Sequence, residues 1–249
     1  MDTAPARGAR RTSYSSPRIH ERRRKILQEA RKLVSEGGMG SFNMDELAAR
    51  AGVAKRTLYN AFQNKERVLA TAVHDYFNVF LDRQQTHAPI GSLQHMIELL
   101  SAIARRGQSI KNYNRTLLAI YYSPDIDHEI WQTIHDMGMR LQSPYVMQLK
   151  ARRQLQPWMT AEKLLDDLVR FRYATGNDWC NGRLSDSEYL PTMLTGLLCI
   201  LAGATRGAAR QEVEAMLALA PDFNLSEANA ADAKDTPKAA AKAKKPALL

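Results

Sequence analysis

The sequence predicts an all-α fold, and three observations support that prediction. Apolar residues recur at intervals of three and four along most of the 249 residues, as they do on the buried face of a helix. No stretch alternates strictly between apolar and polar residues, which a half-buried strand would require. Proline and glycine fall between the periodic segments, where helices begin and end.

Residues 1–17 consist mainly of arginine, serine, alanine and proline, with almost no large apolar side chains. Such a segment buries too little apolar surface to offset the entropy of ordering, so we predict a disordered basic arm. Two interpretations stay open for this arm. It is either a solvated tail or a segment that lies along DNA, as homeodomain arms do in the minor groove.

The first helix is predicted to begin after Pro17 and to end near Glu36, because Gly37 and Gly38 follow. Its apolar stripe consists of Ile26, Leu27, Ala30, Leu33 and Val34. The Gly-Gly-Met-Gly run after it lacks the lysine and the preceding strand of a phosphate-binding loop. We therefore interpret that run as a helix end and a loop.

Residues 43–62 contain two short helical patterns separated by Gly52. Asn43 and Glu46 predict a capping box for the first helix, and Gly52 suits the left-handed backbone that ends it. In the second helix one face is apolar, and the opposite face carries Lys55, Arg56, Tyr59, Asn60 and Gln63. Two such helices form either an ordinary helical hairpin or a helix-turn-helix, whose second helix enters the major groove of DNA.

The distribution of charge favours the DNA-binding alternative. The net charge is +9, and residues 1–67 contain fifteen Lys and Arg against seven Asp and Glu. The excess therefore lies on and just before residues 43–62, as expected of a module that binds phosphates. A membrane-binding patch would need bulky apolar residues on an amphipathic helix, which the arm lacks.

Asn64 is predicted to cap a fourth helix, which begins at Lys65. With that helix, residues 18–76 resemble the N-terminal domain of the TetR family of transcriptional regulators. The motifs are Phe-Asn-Met-Asp-Glu-Leu-Ala, Ala-Gly-Val-Ala-Lys-Arg-Thr-Leu-Tyr-Asn-Ala-Phe and Asn-Lys-Glu. The resemblance implies a three-helix DNA-binding domain over residues 18–64 and a helical ligand-binding and dimerisation domain over residues 65–220.

The predicted DNA-binding residues are Asn43, Lys55, Arg56, Thr57, Tyr59, Asn60 and Lys65. The resemblance implies that those on the second helix face DNA and that Lys65 binds a phosphate. Two positions depart from the family pattern. Ala54 replaces a common capping Ser or Thr, which costs the helix about 1 kcal/mol. Ala61 replaces a residue that is frequently larger, so no DNA contact is assigned to it.

Beyond residue 85, we predict helices over residues 92–106, 109–122, 125–155, 160–181, 185–205 and 208–219. Pro144 is expected to kink or split the third of them. Residues 190–204 are too short and too polar to span a bilayer comfortably, so we predict a buried helix there. Residues 221–249, rich in alanine and lysine, are predicted to be a disordered tail that is solvated or adds non-specific DNA affinity.

Aromatic and methionine side chains concentrate between the middle helices. They predict either a packed core or a cavity for a small, mostly apolar ligand. The candidate ligand-binding residues are Tyr113, Asn114, Leu117, Tyr121, Trp131, His135, Phe171 and Asn177.

A metal or other cofactor is not expected. Asp125, Asp127, His128 and Glu129 look like a ligand cluster, but acids at a helix start are also explained by the helix dipole. No nucleophile motif such as Gly-x-Ser-x-Gly occurs, so we do not expect an enzyme. The two cysteines have no metal-ligand or disulfide spacing, which indicates a reducing compartment and a cytoplasmic protein.

These observations together predict a repressor that binds a palindromic operator as a homodimer and is released by the ligand. Two recognition helices about 34 Å apart can read a palindrome, whereas one makes few base contacts. The resemblance places the dimer interface on the helices around residues 160–181 and 187–205. The alternatives are a ligand-responsive activator and an architectural DNA binder of low specificity.

Overall fold

The computed structural model describes residues 17–219, which divide into two compact units. Within this range the chain forms eleven α-helices and one isolated antiparallel bridge, between Leu155 and Thr205. The all-α prediction is confirmed. The predicted basic arm lies outside the described residues except for Pro17, and the predicted tail lies outside them entirely.

The first unit contains residues 17–83 and 112–137. Its helices are α1 (Pro17–Ser41), α2 (Met44–Ala51), α3 (Lys55–Phe62), α4 (Lys65–Arg83), α6 (Lys111–Tyr121) and α7 (His128–Met139), the last two of which cross its boundary by one and two residues. The second unit contains residues 84–111 and 138–219. Its helices are α5 (Leu93–Ser109), α8 (Ser143–Ala151), α9 (Ala161–Cys180), α10 (Asp186–Ala204) and α11 (Gly207–Leu219).

The core of the first unit forms where α1 packs on α2 and α4. The apolar stripe predicted for α1 is buried, and Leu47, Leu58 and Phe62 from the next two helices are each at most 1% exposed. An ion pair of 2.9 Å between Arg31 and Asp75 also joins α1 to α4. Burying side chains of this size stabilises a fold by about 1.5–3 kcal/mol each, so this core holds the short α2 and α3 in place.

Two of the predicted helices are interrupted, one at Gly38 and the other just before Pro144. Helix α1 extends to Ser41 but is interrupted at Gly38, where φ is 69° and ψ is −165°, so its regular path ends at the glycines predicted to end it. Gly38 breaks the helical path because its backbone lies in a region that favours glycine. The helix predicted over residues 125–155 is split into α7 and α8, which is one of the two effects expected of Pro144, and Pro144 lies in the first turn of α8. Proline is tolerated there because the first amide groups of a helix have no acceptor within it.

In the second unit α9 and α10 pack side by side. Gly196 allows the close approach, because a Cβ atom at that position would overlap the ring of Phe171. Thr160 caps α9, and Ser185 with Glu188 forms a capping box that begins α10. These contacts place the start of both helices close to the predicted residues.

Among the described residues, α10 is the one helix long and apolar enough to cross a membrane, judged by length and composition alone. Its leucines Leu194, Leu197, Leu198 and Leu201 are at most 1% exposed, because they pack inside the second unit. A core helix passes the same length and composition test, and the prediction of a buried helix agrees with this packing.

Candidate nucleic-acid interface

The turn between α2 and α3 is built by local hydrogen bonds. The Asp45 N–H donates to Asn43 Oδ1 at 2.7 Å, which caps α2. The predicted capping box is wrong in its second half, because Glu46 accepts from Arg50 instead. At the other end Gly52 has φ 67° and ψ 40°, as predicted for the residue that ends this helix.

The side chains of α3 divide cleanly between core and solvent. Leu58 and Phe62 are buried, and this fixes the rotation of the helix about its axis. Arg56, Tyr59 and Asn60 are exposed on the opposite face, and their side chains form no hydrogen bond or ion pair within residues 17–219. Protein groups therefore do not compete for these three side chains, which can bind bases and phosphates.

Lys55, also predicted to contact DNA, is already engaged in the protein. Its Nζ lies 2.6 Å from Asp45 Oδ1, and the hydrogen bond to this carboxylate raises the pKa of Lys55. Lys55 must exchange that exposed partner for a phosphate if it contacts DNA. Thr57 is half-buried on α3, so it lies closer to the core than the three exposed residues.

Ala54 occupies the cap position of α3 and provides no side-chain hydrogen bond, as the sequence predicts. The helix therefore begins with fewer satisfied amide groups than a Ser or Thr would give it. Its position depends instead on the buried Leu58 and Phe62.

A tight turn at Gln63 directs the chain from α3 into α4. Gln63 has φ 68° and ψ −54°, and the Asn64 N–H donates to the Phe62 carbonyl at 2.8 Å. This geometry is the classic γ-turn, which is rare and strained for a residue other than glycine. Asn64 Oδ1 then accepts from the Arg67 N–H at 2.8 Å, so it caps α4 as predicted. The turn sets Lys65 in the first turn of α4, and the sequence pattern gave no signal for its strain.

Arg67 joins the first turn of α4 to the first turn of α7 within the same unit. Its Nη2 lies 2.8 Å from Glu129 Oε2 and 3.6 Å from Asp127 Oδ1. Asp127 also caps α7 by accepting from the Glu129 N–H at 2.9 Å. Two acids of the suspected metal cluster are thus a helix cap and an ion-pair partner. This link spans about sixty residues of sequence, so no local pattern could have indicated it.

An aromatic cluster on α6 and α7 brings together three of the predicted ligand-binding residues. The rings of Trp131 and His135 stack at 4.6 Å between centroids, and those of Tyr121 and Trp131 at 5.6 Å. The Tyr121 hydroxyl lies 2.9 Å from His135 Nδ1, in a buried hydrogen bond. His128 extends the stack at 6.1 Å from Trp131. This cluster combines flat apolar surface with a polar pair, which suits a binding site or a specific core.

The other predicted ligand-binding residues divide between the two units. Tyr113, Asn114 and Leu117 lie on α6, and the Tyr113 ring meets the Tyr76 ring edge to face at 5.5 Å. Burial raises the pKa of Tyr113, and its hydroxyl has no hydrogen-bond partner within residues 17–219. Phe171 and Asn177 lie on α9 in the second unit.

Residues 26–72 match the family model described as bacterial regulatory proteins of the tetR family. A curated relative, the HTH-type transcriptional repressor KstR of Rhodococcus jostii, is 35% identical over 94 residues. That alignment covers 38% of this chain and 44% of KstR, so this chain matches less than half the length of KstR.

Solved structures with the same fold cover most of the chain. A TetR transcriptional regulator from Rhodococcus has a TM-score of 0.58 at 17% identity, over 75% of this chain and 99% of that one. The repressor FadR of Thermus thermophilus, solved with lauroyl-CoA, has a TM-score of 0.55 at 17% identity and covers 75% of this chain and 97% of its own. At these identities the likeness shows a shared fold.

Proposed function

This chain belongs to the TetR family of transcriptional regulators through its N-terminal domain, and on that premise we propose that it is a ligand-released repressor. In this proposal two copies bind a palindromic operator in the cytoplasm. Residues 18–64 read the DNA, and residues 65–220 bind the ligand and the second copy. We propose regulation of transcription as its role, and no catalytic activity.

The single observation that carries the proposal is the exposed face of α3. Arg56, Tyr59 and Asn60 project from a helix that the buried Leu58 and Phe62 hold in one orientation. Arginine and asparagine are the side chains that recognise guanine and adenine in the major groove by paired hydrogen bonds. Lys65 lies just beyond, at the start of α4, where we assign it a phosphate contact.

We place the dimer interface on α9 and α10. Their outward faces expose small residues, among them Ala174, Thr192, Cys199 and Gly203, which allow helices of a second copy to approach closely. A twofold axis through this surface would set two α3 helices in a symmetric arrangement. An Ala174→Arg variant that stays dimeric in light scattering would contradict this assignment.

We place the effector at the aromatic cluster of α6 and α7. The stacked Tyr121, Trp131 and His135 offer apolar surface, and the buried Tyr113 hydroxyl offers a donor that the protein itself leaves unused. A ligand shifts the DNA-binding equilibrium only by its difference in affinity for the two states of the dimer. The lauroyl-CoA bound by the Thermus FadR makes long acyl compounds a reasonable first set to screen.

The decisive experiment is a selection of bound genomic fragments with the full chain, followed by affinity measurements on the selected site. We expect one palindromic sequence, and we expect Arg56→Ala and Asn60→Ala to bind it at least tenfold more weakly. Arg183→Ala, an exposed arginine of the second unit paired with Asp178, is the matched control and should bind normally.

Each alternative has its own outcome in this experiment. Binding without sequence preference would favour an architectural protein and contradict the repressor. Unchanged affinity in both α3 variants would show that the DNA-binding surface is wrongly assigned. A reporter driven by the selected site separates repression from activation, because loss of the protein raises expression only in the first case.

A further inference from the structure

Arg172 lies in the interior of the second unit, on α9, with 7% of its surface exposed. Its Nη2 donates to the carbonyl oxygen of Gly138 at 3.0 Å, and its guanidinium lies 4.8 Å from the centre of the Tyr173 ring. Its Nε–H is buried and has no acceptor within residues 17–219. No carboxylate in that range forms an ion pair with it. A buried arginine without a counter-ion is unusual, because its charge loses hydration without compensation.

The surroundings of Arg172 are aromatic and aliphatic. A Cβ atom added to Gly138 would lie 2.8 Å from both Val169 and the Tyr173 hydroxyl, so these groups meet closely at this point. Burial raises the pKa of Tyr189 to about 12, and the nearby charge of Arg172 opposes that rise. The groups beside the guanidinium, the Gly138 carbonyl and the Tyr173 ring, are neutral and leave its positive charge uncompensated.

A second buried polar group without a partner lies close by in the chain. Gln142 follows Gly138 by four residues and is fully buried. Neither its amide nitrogen nor its amide oxygen has a hydrogen-bond partner within the described range. The Tyr145 hydroxyl of the same unit is also buried without a partner within that range. Buried polar groups in proteins are nearly always hydrogen-bonded, so these three groups need an explanation, and a bound ligand is one that can be tested.

We propose that Arg172 binds the carboxylate of a small organic acid whose apolar body packs on the surrounding rings. A carboxylate fits because its two oxygens match the Nε and Nη donors of one guanidinium, and a monoanion balances a single positive charge. The rings and Val169 supply the apolar contact that such an acid needs. This acid site goes beyond the proposed function, which assigns the effector to the aromatic cluster of α6 and α7, and binding of the acid is measurable without DNA.

The test is isothermal titration calorimetry of the full chain with two acids and their neutral amides. Octanoate is compared with octanamide, and benzoate with benzamide, so that shape is kept and charge is removed. We expect at least one acid to bind at least tenfold more tightly than its amide. Arg172→Met should abolish this preference. Arg210→Met is the matched control, because Arg210 is exposed on α11 of the same unit and paired with Glu214 at 2.8 Å.

Arg172→Lys keeps the charge but removes the paired donors, so we expect a smaller preference for the acid than in the native protein. Equal affinity for acid and amide in the native protein would overturn the proposal, as would binding of neither acid. An unchanged preference in Arg172→Met would overturn it too. If that variant does not fold, the native comparison and the lysine variant still decide.

Operator binding in the same preparation separates this site from the proposed function. Sequence-specific operator binding with no acid preference would overturn the Arg172 site alone. An acid preference without any operator binding would overturn the proposed regulator and leave the site in place.

Discussion

The exposed face of α3 and the interior around α6 and α7 both carry aromatic and polar side chains, but these side chains are solvent-exposed in the first region and packed on one another in the second. On α3, Arg56, Tyr59 and Asn60 are exposed and have no partner within the described chain. In the aromatic cluster, Tyr121, Trp131 and His135 bind one another. The first set contributes little to folding and is available to DNA. The second contributes to folding, and any ligand that binds there must compete with contacts already made.

The largest expected effect comes from breaking the support beneath the α3 face. Phe62→Ala should lower the free energy of unfolding by about 3–5 kcal/mol, because it removes a ring that is 1% exposed. Urea denaturation measures this loss. Tyr59→Ala on the same helix should change the stability by less than about 0.5 kcal/mol, because this side chain is 42% exposed. Equal losses in the two variants would contradict the division of α3 into a core face and an exposed face.

The second effect concerns binding alone. Lys65→Ala should weaken the operator complex about tenfold. The reason is the loss of one charge-assisted hydrogen bond to a phosphate, which contributes roughly 1.5 kcal/mol to the binding free energy. The logarithm of the DNA-binding constant falls as the logarithm of the salt concentration rises, and this slope should become less steep by about one. The change should be equal for specific and non-specific DNA. Fluorescence anisotropy across a salt series measures both, with Lys150→Ala on α8 of the second unit, an exposed lysine paired with Glu162, as the control. A loss confined to the operator sequence would mean that Lys65 contacts bases.

The third variant tests the aromatic cluster of α6 and α7. Tyr121→Phe leaves the ring stack in place and removes the 2.9 Å hydrogen bond to the buried His135. The loss of a buried partner should cost about 1–2 kcal/mol of unfolding free energy. Operator affinity without ligand should stay within twofold of the native value. A tenfold drop in that affinity would show that the cluster controls the DNA-binding face even when no ligand is bound.

The smallest expected effect is a gain in the stability of the fold. Ala54→Ser should supply the missing cap of α3 and raise the unfolding free energy by about 1 kcal/mol. Thermal unfolding measures this rise, and Ala61→Ser on the exposed surface of the same helix is the control without a capping role. No gain over that control would show that the α3 amide groups are already satisfied by water.

The division of α3 into a buried and an exposed face could be predicted from sequence because its determinants are local. Leu58 and Phe62 are four residues apart, and Asn43, Gly52 and Asn64 mark the helix ends by their own conformational preferences. The Arg67 link to α7 and the isolated Arg172 depend on contacts between distant residues, which no short pattern encodes. The predicted capping box does not form completely, because the Nε and Nη2 groups of Arg50 both donate to Glu46. Which of these partners Glu46 binds depends on the folded geometry and could not be predicted from the sequence.

Under the proposed function, the ion pairs of Arg67 would also affect how the protein searches DNA. Glu129 and Asp127 neutralise a cation two residues from Lys65, so the first turn of α4 presents less positive potential than its sequence suggests. For a repressor of the proposed kind, weaker attraction to arbitrary DNA would shorten the time spent on wrong sites and leave more protein available for the operator. Replacing both acids by their amides should therefore tighten binding to random duplexes several-fold while changing operator affinity less. The measurable cost would be a smaller fraction of operator occupied when competitor DNA is in excess.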